Sequence, residues 1–248
     1  MTRLIVATFF ALSALSVMAP AGAAEFSDAE QAAINDQIRA YLLENPEVIV
    51  EAMQVLEQRQ REQANSADRE KIAAARSELF DDGFSGVAGN PNGDVTVIEF
   101  FDYECPYCKR AHESLKSLLE ADDGVRVILK EFPILGPRST FASRAAMAAR
   151  RQGDDLYWAY SDAMLSHRGA LDERAVFTIA GETGLDVDRL KADMEDPGIA
   201  ENIRATYALA RRLEINGTPG FIIGDQVVRG FVPYDRLREM VEEARRPG

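Results

Sequence analysis

Residues 95–108 read VTVIEFFDYECPYC, and this stretch decides the fold. Val95 to Phe101 is nearly continuous in β-branched and aromatic side chains, the pattern of a strand buried on both faces. Pro106 suits the first position of a helix, where a missing N–H leaves no bond unmade, and the pattern stays helical to about Glu120 with Leu115, Leu118 and Leu119 facing inward. Cys105 is then left at the capping position between strand and helix. A thiolate there accepts backbone N–H groups and feels the positive end of the helix dipole, which lowers its pKa. Cys108, one turn in, is expected to be more buried and less acidic. That asymmetry predicts a working dithiol: Cys105 attacks or is attacked, and Cys108 resolves the mixed disulfide across the dipeptide Pro106-Tyr107.

Two other uses of the pair compete with this one. A structural disulfide enclosing two residues removes little chain entropy and stabilises little. A metal site would recruit His112, four residues after Cys108, but the only other histidine, His167, lies far along the chain, so a four-ligand site needs long-range closure. On its own His112 reads as an ordinary helix-surface residue. A C-x-x-C beside a β-α-β pattern favours redox chemistry. Glu99 interrupts the apolar strand six residues before Cys105. Either it faces solvent on an edge strand, or it is a buried acid that takes the proton of Cys108 during resolution. Thr218-Pro219, between Gly217 and Gly220 and ahead of an apolar strand, reads as a tight turn that a cis proline can make.

Working outward, Val125 to Phe132 is a second strand, Phe221 to Arg229 a hairpin, and Pro233 to Arg245 a terminal helix. Strand, helix, strand, helices, hairpin and helix in that order predict an α/β fold with a mixed sheet flanked by helices. The helical block at about 138–196 is too long for a simple crossover and reads as an inserted subdomain. This main domain is expected over 84–248.

Ahead of it the character changes twice. In residues 25–56, Ser27 and Glu30 form a capping box, and Ile34, Ile38, Tyr41 and Leu42 share one helix face. After a break at Asn45-Pro46, Ile49, Met53 and Leu56 continue an apolar stripe. Residues 57–83 begin with EQRQREQANSADRE, a polar helical or flexible linker. An apolar helix pair on such a linker is expected to bury its faces against copies of itself, as a homo-oligomer with a trimer favoured over a dimer. Residues 1–24, with Arg3, an apolar run from Leu4 to Met18, and small residues to Ala24, read as a cleaved signal peptide. That predicts export, no stable membrane anchor after cleavage, and a compartment where a thiol pair can stay oxidised.

Composition removes other classes. The chain has 248 residues, 41 acidic against 28 basic, and a formal charge of −13, which argues against a nucleic-acid partner. Two cysteines in all exclude a multi-bridge scaffold and a four-thiolate zinc site.

VIEFFDYECPYC (97–108), KEFPILG (130–136) and NGTPGFIIG (216–224) resemble the strand–CxxC, second-strand and cis-proline segments of the thioredoxin-fold thiol–disulfide oxidoreductases of the DsbA group. The N-terminal helices are similar to those of the suppressor-of-copper-sensitivity C (ScsC) proteins, which share CPYC and can oligomerise through that region. The resemblance implies a thioredoxin fold with a helical insertion, Cys105 as nucleophile, Cys108 as resolving thiol, Glu99 as buried acid and Pro219 as the cis proline beside Cys105. It implies that the Thr218 loop offers backbone groups to an extended substrate peptide. No cofactor is implied beyond the redox-active Cys105–Cys108 disulfide. Tyr107 stands where DsbA has His, which implies a less oxidising disulfide, and Thr218 before the proline is similar to the disulfide isomerases. The expected function is a periplasmic thiol–disulfide oxidoreductase, leaning to isomerase or reductase, with protein thiols as substrates and a membrane redox partner. The alternatives are a dithiol oxidase and a copper(I) carrier using the Cys105 and Cys108 thiolates, linked to copper tolerance.

Overall fold

The computed structural model describes residues 26–246, so the signal segment 1–24 lies outside the described residues. The chain divides into two compact units at Glu57/Gln58. In the first, Ser27 caps helix α1 (Asp28–Glu44) with the full capping box to Glu30, and Asn45 closes it on the Tyr41 carbonyl. Helix α2 (Glu47–Ala74) follows Pro46. No residue of α1 is buried, and Ile38, Tyr41, Leu43, Ile49, Met53 and Leu56 are all exposed.

The second unit starts earlier than the residue-84 boundary expected from the sequence. Of the two forms expected for the polar stretch after residue 57, helical or flexible, the structure has the helix: it continues α2, whose last turns join the body. Asp68 receives the Arg229 guanidinium at 3.2 Å. Ile72, Ala75 and, on the short helix α3 (Arg76–Phe80), Leu79 pack with Ile98, Phe100 and Ile128 of the sheet. The polar surface of α2 hides this buried edge from a reading of composition.

The sheet contains β1 (Gly86–Gly89), β2 (Val95–Phe101), β3 (Val125–Glu131), β4 (Gly220–Ile223) and β5 (Gln226–Arg229), in the order β1-β3-β2-β4-β5. Only β2 and β3 run parallel, joined by α4 (Pro106–Ala121); the other pairings are antiparallel. Strand β1 has no counterpart in the sequence reading. Its first residue must be small, because a Cβ at Gly86 would fall inside the Tyr157 ring.

Strand β2 is interior and buried on both faces, which is why it reads as a continuous apolar run. Side chains alternate along it. Ile98 and Phe100 join the core beneath α3 and α9 (Pro197–Arg212), while Val97 and Phe101 join the larger core that includes Cys105 and Cys108. Glu99 shares the parity of Val97 and Phe101. The larger core is completed by α10 (Tyr234–Ala244) and by the inserted helices α5 (Pro137–Arg150), α6 (Asp154–Ser166), α7 (Glu173–Glu182) and α8 (Val187–Met194). Among the described residues no helix is long and apolar enough to cross a membrane.

Candidate active site

Cys105 is the N-cap of α4, with extended backbone (φ −78°, ψ 118°), and Pro106 occupies the first turn. The turn ahead of it is held by Asp102, fully buried, whose carbonyl accepts the Cys105 N–H at 3.1 Å. The Asp102 carboxylate accepts the N–H groups of Glu104 (2.8 Å) and Leu135 (2.9 Å). The Cys105 thiol donates to the Thr218 carbonyl at 3.3 Å, so the loop more than a hundred residues away sits directly against the sulfur. The Thr218–Pro219 peptide is cis. The Pro219 carbonyl accepts the Gly230 N–H at 2.9 Å, and a cavity of about 200 Å³ opens beside Thr218, Pro219 and Gly230.

The two thiols are free in this structure and differ as their positions predict. The Cys105 pKa is lowered to about 5, chiefly by the hydrogen bond from Cys108; burial opposes this, and the Thr218 side chain with the backbone N–H groups of Cys108 and Tyr107 adds to it. Cys108, 1% exposed, is pushed far up by burial, by its hydrogen bond to Cys105 and by the charge of Glu99. Glu99 is 1% exposed, with both carboxyl oxygens lacking a hydrogen-bond partner. Burial raises its pKa to about 8, and the Cys105 charge adds to the shift. Since β2 is flanked by β3 and β4, the edge-strand alternative for Glu99 is excluded. Tyr107 is more than half exposed at the mouth of the site.

His112 corrects the sequence reading. It is not a surface residue but buried, with Nε2 at 2.7 Å from Asp162 and its ring 5.2 Å from that of Trp158. Lys116 shares the same carboxylate at 2.9 Å. Asp162 belongs to α6, so the pair fastens the active-site helix to the insertion. Burial lowers the His112 pKa, keeping the ring neutral.

A second buried carboxylate escaped the sequence reading. Glu131, at the end of β3, accepts the hydroxyls of Tyr103 and Tyr157, each at 3.0 Å, and Tyr103 also meets Ser161 at 2.9 Å. Burial raises its pKa to about 8 against the help of these donors. The signal was weaker than at Glu99, because Glu131 ends a strand that also carries Arg126 and Lys130 and so does not stand out as a lone charge.

A cap thiol of low pKa, a buried partner thiol, a buried acid behind them and a cis-proline loop in contact with the first sulfur form one dithiol centre. The DSBA-like thioredoxin domain family model matches residues 96–242, more than half of the chain. The chain belongs to this family. A second model, the copper resistance protein ScsC N-terminal domain, matches residues 30–63. Among solved structures, a thioredoxin-like oxidoreductase from Silicibacter pomeroyi is 46% identical, with a TM-score of 0.67, covering 70% of this chain and 99% of that one. A linker-deletion mutant of Proteus mirabilis ScsC is 26% identical, with a TM-score of 0.68, covering 90% of this chain and 98% of that one. The Na(+)/H(+) antiporter NhaA of Herminiimonas arsenicoxydans is 29% identical over 161 residues, 64% of this chain. The match spans about a quarter of that antiporter's length (25%). In this DsbA-like chain the second family match ends just past the division between the two compact units.

Proposed function

We propose that the chain is a periplasmic protein thiol–disulfide oxidoreductase acting as a disulfide isomerase or reductase. The observation that carries this is the split between the sulfurs: Cys105 ionises near pH 5, while Cys108 is held protonated by burial and by Glu99. The Cys105 thiolate attacks one sulfur of a substrate disulfide, forming a mixed disulfide and releasing the other sulfur as a thiolate. In isomerisation that thiolate attacks elsewhere in the substrate, and a substrate thiolate finally displaces Cys105, with no net redox change. In reduction the Cys105 charge that helps raise Glu99 is gone once the mixed disulfide forms; the ionised fraction of Glu99 then takes the Cys108 proton, and Cys108 attacks the Cys105 sulfur, forming the Cys105–Cys108 disulfide and freeing the second substrate thiolate. A dithiol donor, expected at the membrane, then restores the reduced pair. A reluctant Cys108 lengthens the life of the mixed disulfide, which gives a substrate time to rearrange. A Cys105 pKa near 5 lies between the value of about 7 for thioredoxin and about 3.5 for DsbA, in keeping with a disulfide less oxidising than DsbA's.

The exposed apolar residues of α1 and the start of α2 support assembly of several such centres, and a trimer is proposed ahead of a dimer. The copper(I) alternative rests on the Cys105 and Cys108 thiolates alone: His112, engaged by Asp162, adds no third ligand, and the copper resistance protein ScsC match covers residues 30–63 rather than the thiol pair. Refolding of a scrambled multi-disulfide protein tests the assignment. An isomerase restores the native pairing, whereas oxidation of a reduced client without rescue of a scrambled one would shift the assignment to a dithiol oxidase.

A further inference from the structure

The guanidinium of Arg110 lies 5.8 Å from the ring centroid of Tyr107 and 4.5 Å from that of Phe231. These rings belong to the two sides of the dithiol centre. Tyr107 sits between the cysteines, and Phe231 follows Gly230, whose N–H closes the cis-proline loop on the Pro219 carbonyl. Arg110 therefore bridges the active-site helix and the strand end beside the loop where substrate backbone is received. Its charge enters no ion pair among the described residues, and the side chain is exposed. The neighbouring Lys109 gives its ammonium to a carbonyl, that of His167 at 2.8 Å, and not to a carboxylate. Rings that engage a guanidinium through its face leave its edge N–H donors free, and that edge matches a carboxylate in two-point fashion. In a chain carrying 41 acidic residues against 28 basic ones, an unpaired cation held at the mouth of the reactive thiol is a local reversal of sign.

We propose that Arg110 selects substrate segments bearing an acidic side chain close to the cysteine, its guanidinium receiving that carboxylate while Cys105 engages the adjacent sulfur. This deepens the oxidoreductase reading and rests on it. The test compares single-turnover exchange between the reduced, full-length protein and two mixed-disulfide peptides that differ only in Glu or Lys two residues from the cysteine. An exposed ion pair of this kind is worth about threefold in rate. The wild type is expected to favour the Glu peptide by about that factor, less so in high salt. Arg110→Gln should erase the preference, Arg110→Lys should keep part of it, and Arg110→Glu should invert it. Equal rates for the two peptides in the wild type, with exchange intact, would overturn the selection and leave the oxidoreductase reading standing. A preference that persists in Arg110→Gln would overturn it as well. So would a preference lost together with a displaced Cys105 thiolate titration, since the arginine would then act through the nucleophile. No exchange with either peptide would sink the underlying activity and the inference with it.

Discussion

Titrating the protein in its two redox states tests the dithiol most directly. In the reduced state the Cys105 pKa falls from an ordinary value of 9.0 to about 5, a depression of four units. At roughly 1.4 kcal/mol per unit the ceiling on the associated stabilisation is about 5 kcal/mol. Only the part between the folded pKa and the working pH is realised, so two units, or about 3 kcal/mol, act at pH 7. The sign follows from the protons: between pH 5 and 9 the unfolded chain keeps the Cys105 proton and the folded chain does not, so the Cys105 contribution to reduced-state stability rises with pH. This stabilisation is complete above pH 9 and lost as pH falls through 5. The oxidised state has no Cys105 thiol and lacks the effect. Cys108 stays protonated in the folded state throughout, and Glu99, ionising near pH 8, contributes its burial cost to both redox states. Its repulsion of the Cys105 thiolate flattens the slope only above neutral pH. Chemical denaturation of both forms should therefore give a reduced-minus-oxidised gap that grows by about 1.4 kcal/mol per unit from pH 5 to 7, where it corresponds to a disulfide about 60 mV more oxidising than one with an unperturbed thiol. Thiolate absorbance should rise with a midpoint near 5. A gap that does not change with pH, or a midpoint near 9, would refute the reasoning.

Glu99→Gln removes the proton acceptor behind Cys108 and should slow resolution of a mixed disulfide trapped on Cys105, read by quenched-flow mass spectrometry; an unchanged rate across neutral pH counts against the role. The folded carboxyl holds its proton from pH 4.5 to about 8 while the unfolded one does not, so the wild type should lose about 3 kcal/mol between pH 4.5 and 7 on this account, and Glu99→Gln should lose that slope. Leu79→Ala, at a fully buried site on α3, should cost about 2–5 kcal/mol in denaturant unfolding, whereas a change below 0.5 kcal/mol, usual for surface sites, would mean that α3 is not part of the body. Tyr103→Phe takes one of two donors from buried Glu131 and should cost about 1–3 kcal/mol, with thiol exchange unaffected. Deleting residues 25–57 should reduce the sedimentation mass to that of a monomer while the second unit stays folded; a monomeric parent chain would end the oligomer proposal.

What was legible in the sequence was whatever a short window contains. The strand ending at Phe101, the proline opening α4 and the cap position of Cys105 are local patterns, and each lies where its pattern puts it. Glu99 was legible as an anomaly but not as an interior residue, because its second neighbour, Phe221 on β4, arrives 122 residues later. His112 was misjudged for the same reason: the carboxylate that makes its burial tolerable, Asp162, is 50 residues away. Strand β1 was invisible because GVAG has the composition of a turn, and its small residues answer to Tyr157 rather than to strand propensity. The end of α2 was hidden by its solvent side: a helix whose buried residues are one aspartate and one isoleucine looks polar until Arg229 and the sheet are in place.

The two buried carboxylates separate structural from chemical use of the same side chain. Glu99 and Glu131 lie on adjacent parallel strands, at registers two residues apart, and burial lifts both toward pH 8. Glu131 accepts two tyrosine hydroxyls on one oxygen, which offsets part of its desolvation and ties the insertion to the sheet through Tyr157 of α6. Glu99 receives none, although it lies in the same kind of interior. An unsatisfied buried carboxyl is destabilising by about 1–3 kcal/mol, and a glutamine or an aliphatic residue in its place would avoid the charge. Its neighbours are the two sulfurs, whose charge states its own charge shifts and is shifted by. A group that stabilises nothing, titrates near neutrality and is coupled to both thiols is suited to carrying a proton between states of the dithiol, which is the role proposed for it.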